Sequence, residues 1–151
     1  MVFKLHMPKM IFVNLPVTDV QKSTAFYEAV GAKRDPRFSN ESTSMMSFSD
    51  TIFVMLMSHD RFRDFTSKPI VDAKKNSQVL LCLSKDTRDA VDATTEKAVA
   101  AGGKGDPSPQ EDYGFMYGRS FEDLDGHLWG VTWMDVEAAM RASAPQPTAQ
   151  A

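Results

Sequence analysis

The chain reads as a mixed α+β fold in which one βαβββ order is used twice. Two observations carry that reading. Ser120–Met134, S-F-E-D-L-D-G-H-L-W-G-V-T-W-M, sets a polar turn, Asp123-Leu124-Asp125-Gly126, between two runs rich in aromatic and β-branched residues, the pattern of a β-hairpin. Ser47–Met57, S-F-S-D-T-I-F-V-M-L-M, echoes it: with Asp50 laid on Asp125, Phe53 falls on Leu128, Val54 on Trp129 and Met55 on Gly130. A repeated hairpin implies a repeated module, and a repeated module implies a cleft between its copies.

The elements follow in order. Residues 1–9 form an N-terminal extension and residues 10–66 the first module. Met10–Val17 is apolar and extended, with Pro16 marking an edge or a bulge. Thr18 and Asp19 offer N-cap chemistry to a helix carrying Val20, Thr24, Phe26, Tyr27 and Val30, and Gly31 stands where a helix-ending glycine belongs. Strands are expected over Lys33–Ser39, Ser44–Phe48 and Thr51–Met57, then a short helix over Arg61–Thr66. Residues 67–77 read as a linker, and the second module spans 78–135. There Gln78–Leu83 is an apolar strand, Lys85-Asp86-Thr87 opens a helix closed by Gly102-Gly103, and Gly105–Gln110 is a loop. Phe115–Phe121 and His127–Met134 complete the set. Residues 136–151 form a tail, with disorder expected over its Pro- and Ala-rich end, Ala142–Ala151.

Composition removes several classes of function. At 151 residues the chain is one compact unit, long enough for a sizeable core. A net charge of −3 and the lack of a basic stripe argue against nucleic acid as a partner. The apolar runs near Ile11–Val17 and Ile52–Met57 are far too short to cross a bilayer. The N-terminus lacks a signal-peptide pattern, and a lone cysteine, Cys82, permits no intrachain disulfide; both point to the cytoplasm.

Phe12–Asp19, F-V-N-L-P-V-T-D, and Asp112–His127, D-Y-G-F-M-Y-G-R-S-F-E-D-L-D-G-H, resemble the vicinal oxygen chelate superfamily, which includes glyoxalase I, bleomycin-resistance proteins and extradiol dioxygenases. More narrowly they are similar to a bacterial branch labelled "predicted lactoylglutathione lyase". The likeness covers roughly residues 10–135. It implies that the two βαβββ modules curve into a half-open cup, and that copies of the chain pair as a homodimer. In metal-dependent members each module supplies two ligands. The resemblance puts these at Phe12 and Met55 in the first module, and at Leu80 (or Val79, one residue away) and Gly130 in the second. None carries a donor suited to a hard or borderline divalent ion. The expectation is therefore a metal-free, cofactor-free pocket for a small molecule, with bleomycin-resistance-type proteins as the analogue. The alternative is a lyase-like or dioxygenase-like metalloenzyme whose metal site has moved.

Strand alternation turns Phe12, Asn14, Phe53, Met55, Met57, Leu80, Cys82, Leu128, Gly130 and Thr132 to one face, an apolar surface with a few polar points. Asn14 either satisfies a backbone group or meets a ligand. Tyr117 and Arg119 are further candidates: Arg119 can grip a carboxylate or phosphate with two parallel hydrogen bonds, or pair with Glu122 or Glu111. Met45, Met46, Met55 and Met57 read as adaptable packing, and Cys82 as a thiol kept inert by apolar surroundings. His6, His59 and His127 read as structural or solvated, and Asp123 and Asp125 as turn formers.

Overall fold

The computed structural model describes residues 7–144. One sheet contains β1 (Ile11–Val17), β2 (Lys33–Asp35), β3 (Thr43–Ser47) and β4 (Ile52–Ser58), in the order β1-β4-β3-β2. The other contains β5 (Leu81–Ser84), β6 (Lys104–Gly105), β7 (Glu111–Asp112), β8 (Met116–Glu122) and β9 (Leu128–Met134), in the order β5-β9-β8-β6, with β7 also on β8. In each sheet the opening strand runs parallel to the closing one, β1 to β4 and β5 to β9, and every other pairing is antiparallel. A parallel pair needs a crossover, and α1 (Val20–Ala29) and α3 (Arg88–Ala100) supply it. Short helices α2 (His59–Arg63) and α4 (Val136–Ser143) follow the closing strands. The repeated order is thus present in three dimensions, as a mixed α+β fold.

Local chemistry explains the boundaries. Asp19 Oδ1 accepts the Lys22 N–H at 3.0 Å and Thr87 Oγ1 the Ala90 N–H at 3.0 Å, satisfying donors that a first helical turn leaves free. Gly31 and Gly102 end these helices at φ +107° and +101°, where a side chain is disfavoured. β2 stops at Asp35, short of the expected Ser39, because Pro36 lacks an N–H and Asp35 caps a single 3-10 turn over Pro36–Phe38. β5 begins at Leu81 instead of Gln78: its partner β9 leaves the hairpin at Leu128, and the first paired residues are Leu81 and Trp129. The helix expected over Arg61–Thr66 starts at His59, because Ser58 Oγ caps it through the Arg61 N–H. Ala142 and Ser143, expected to be disordered, belong to α4, whose first turn Asp135 caps. Residues 1–6, with His6, and residues 145–151 lie outside the described residues.

Alternation assigns the faces. On β1, Leu15 and Val17 are buried while Phe12 and Asn14 are exposed; on β4, Val54 and Leu56 are fully buried. The buried set packs with Phe26 and Tyr27 of α1, Val91 and Ala98 of α3, and Phe121, Trp129 and Val131 of the second sheet in one hydrophobic cluster. Phe26 lies 5.9 Å from Phe121 and Tyr27 6.1 Å from Trp129, ring centre to ring centre. The first module's helix therefore helps build the second module's core, and each sheet turns its other face away from the helices.

Candidate functional site

The helix-free faces hold most of the residues expected to bind. On the first sheet Phe12 and Phe53 are register partners whose rings stack at 5.0 Å, and Asn14 lies beside Met55. Met45 and Met57 are buried on that face, so long thioether side chains fill it. The second sheet is the opposite case. Leu80, Cys82, Leu128, Gly130, Thr132, Gly118 and Ser120 line a hollow of about 270 Å3, edged by Ser108, Pro109 and Glu111. Its lining comes from the second module alone. The expected set therefore divides in two: Leu80, Cys82 and Gly130 meet at the hollow, while Phe12, Phe53 and Met55 sit on the other sheet and Asn14 lines a separate cavity.

The hollow exists because two side chains are missing from its floor. Gly130 has ordinary β geometry, and a Cβ there would meet Cys82 Sγ at 3.4 Å, an ordinary contact. A Cβ at Gly118 would lie 3.4 Å from Thr132 Oγ1. Neither glycine is demanded by its backbone, so their effect is open volume. Cys82 is exposed, not held in apolar surroundings, and its Sγ lies 3.3 Å from Thr132 Oγ1 across the floor.

Tyr117 does not line this hollow; Arg119 does, but its guanidinium is engaged elsewhere. Both point to the helix side of β8, the register that puts Phe121 in the core. The Tyr117 hydroxyl donates to Asp92 on α3. Arg119 donates through Nε and Nη2 to the two oxygens of Asp106, at 3.1 and 2.7 Å, and through Nη1 to Asp92 at 3.1 Å. These bonds hold Asp92 and Asp106 below the ordinary carboxylate range, and raise the Arg119 guanidinium further. Beside them Arg88 pairs with Asp112 and lies over the Tyr117 ring at 4.5 Å. The cluster ties α3 to β8 and leaves Arg119 no free fork for a ligand.

Asp123 proves to be more than a turn former. It is buried, and its Oδ2 accepts the Tyr27 hydroxyl at 2.6 Å, while Tyr27 accepts the Trp129 indole N–H at 3.0 Å. Asp123 Oδ1 takes the backbone N–H groups of Asp125 and His127. Burial pushes the Asp123 carboxyl up, and burial together with that carboxyl pushes the Tyr27 phenol up. Nearby, Asp125 accepts the Thr18 N–H and hydroxyl at 2.9 Å each, and His127 Nε2 lies 2.8 Å from the Pro16 carbonyl oxygen. The D-L-D-G-H hairpin is thus a clasp between the modules, with His127 one of its contacts. The sequence offers one signal for this clasp, a tyrosine on the apolar face of α1 whose hydroxyl needs a partner once the ring is buried.

A metal does not fit these residues. The four positions implied by the resemblance carry phenylalanine, methionine, leucine and glycine, and among the described residues no three His, Cys, Asp or Glu side chains converge as a ligand set.

The chain's residues 9–131 match the model of the Glyoxalase/Bleomycin resistance protein/Dioxygenase superfamily. No curated protein matches the chain. Solved structures do. A hypothetical protein from S. aureus is 26% identical, with a TM-score of 0.69 over 85% of this chain and 95% of that one. A family enzyme from Burkholderia phytofirmans is 20% identical, with a TM-score of 0.67 over 84% and 99%. A fosfomycin resistance protein from Listeria monocytogenes, in complex with Mn(II) and sulfate, is 17% identical, with a TM-score of 0.67 over 92% and 100%. Family model, repeated module and fold agree: the chain belongs to the glyoxalase/bleomycin resistance protein/dioxygenase superfamily.

Proposed function

We propose that this protein binds a small, largely apolar molecule in the hollow of its second sheet, without a metal, and that a second copy of the chain covers it. The observation that carries the reading is the floor of that hollow. Gly130 stands where the family's resemblance implies a carboxylate, its backbone would accept a side chain, and what it leaves is volume beside Cys82 and Thr132. Leu80 and Leu128 supply apolar wall, while the Thr132 and Ser120 hydroxyls supply polar points, the composition of a small-molecule pocket.

The hollow is open on one side. Leu80 in its lining is 70% exposed, and Ile11 and Phe12 on the first sheet are 57% and 47% exposed. Apolar surface of this kind is what association covers. A homodimer that sets the aromatic face of one chain's first sheet against the hollow of another's second would complete the cup. Of the described helices, none is long and apolar enough to cross a membrane. The exposed, unpaired Cys82 suits a reducing cytoplasm.

The test is a thermal-shift screen against aromatic antibiotics and thiol conjugates. A ligand that binds only the folded state raises its stability, by about 2.7 kcal/mol at a hundredfold excess over Kd. Gly130→Leu, which fills the floor, is expected to abolish the shift while keeping the unliganded melting temperature within a few degrees. Turnover of a glutathione hemithioacetal that appears only on adding Ni²⁺ or Zn²⁺ would replace this reading with the metalloenzyme one.

A further inference from the structure

A second cavity, of about 320 Å3, lies at the seam between the modules. Among the described residues β1 and β5 are the edge strands of their sheets: β1 pairs only with β4, β5 only with β9, and no ladder joins the two. Val13, Asn14 and Leu15 of β1 form one wall of the seam, and Leu81 and Leu128 the other. Phe62 of α2 and the linker residues Ile70 and Ala73 close it from above. The seam shares only Leu81 and Leu128 with the hollow of the second sheet.

The roof does not rest on the contents of the seam. Asp72 organises the linker: its Oδ1 accepts the Lys74 N–H and its carbonyl the Asn76 N–H, at 3.0 Å each. The linker backbone then packs on the hairpin turn, so closely that a Cβ at Gly126 would lie 2.6 Å from Lys74 N. A slot between two strand edges is thereby held open. His127 belongs to its lining and also to that of the neighbouring pocket beneath the linker. Because a carbonyl oxygen only accepts, the contact with Pro16 makes Nε2 the donor, and Nδ1 has no partner among the described residues.

From the apolar residues Val13, Leu15, Ile70, Leu81 and Leu128, the Phe62 ring, the size at the lower end of the roughly 300–1,000 Å3 span of ligand pockets, and the polar points that Asn14, Gln78 and His127 add, we infer that the seam binds a flat aromatic molecule carrying a hydrogen-bond donor, phenol-like in chemistry. This site is independent of the function proposed for the hollow.

The experiment is titration of the full chain with 2-naphthol, followed through backbone amide chemical shifts. Saturable shifts are expected at Asn14, Leu81 and His127, with Cys82, Gly118 and Thr132 unmoved. Ala73→Trp and Ile70→Trp, each filling the slot from the roof, should weaken binding at least about tenfold, the effect of about 1.4 kcal/mol. 2-Methoxynaphthalene, which keeps the oxygen but donates nothing, should bind about tenfold more weakly than 2-naphthol. Gly130→Leu should leave naphthol binding intact, so the two sites fail or stand separately. Shifts confined to the hollow, no saturable binding, or binding unchanged in both filled variants with native-like spectra would overturn the seam site. Equal affinity for the methoxy compound would overturn the role of the polar points.

Discussion

Three glycines show how single residues serve different ends. Gly103 and Gly126 are required: a Cβ would meet the Glu122 carbonyl oxygen at 2.5 Å in the first case and the Lys74 backbone in the second, where φ is also +94°. Gly130 is not required. Gly126→Ala is expected to lose about 1–3 kcal/mol in urea unfolding from backbone strain alone, and Gly130→Ala less than about 1 kcal/mol. Equal losses would mean that Gly130 is structural and that its hollow is incidental. Tyr27→Phe removes one oxygen and strands both the Trp129 N–H and the Asp123 oxygen, for an expected loss of about 2 kcal/mol. Such pairings were beyond sequence reading because Tyr27 and Asp123 stand 96 positions apart. The exposure of Cys82 was hidden too: an apolar run reads the same on an edge strand as in a core.

Among the elements, β8 shows where pattern alone is ambiguous. Met116–Glu122 alternates polar and apolar residues on both faces, so either face could have been read as ligand-facing. Phe121 decides the matter by entering the core, and takes Tyr117 and Arg119 with it to α3. The helices were legible because their caps and closing glycines are local signals, and β5 was misplaced because its start depends on a partner. The carboxylates around β8 and the hairpin give opposite dependences on pH. Asp106, lowered by Arg119, stabilises the fold above the unfolded carboxylate pKa of about 4 and loses that contribution as pH falls toward its folded value. Asp123, raised by burial, makes its full contribution below about pH 4 and loses it as pH rises through its folded value. The stability advantage of wild type over Asp106→Asn should therefore grow from pH 3 to 7, and that over Asp123→Asn should shrink. Parallel slopes would contradict the two environments.

At the scale of the whole molecule, the repeated βαβββ order and the family membership were both legible in the hairpin, since turn chemistry and alternation are written locally. The meeting of the two halves was not. The residues expected to share one cup lie on two separate faces, an aromatic one with methionines and one hollowed by glycine, and the modules are joined by the Tyr27–Asp123–Trp129 clasp behind them. Sedimentation analysis is expected to find a dimer that Leu80→Glu converts to a folded monomer; a monomeric wild-type chain would remove the second copy from the account. The central claim is that the family's scaffold is kept here while its metal chemistry is absent. Elemental analysis of the protein, purified without chelators, tests that directly: far less than one equivalent of Mn, Fe, Ni or Zn per chain is expected, and one tightly held equivalent would contradict it.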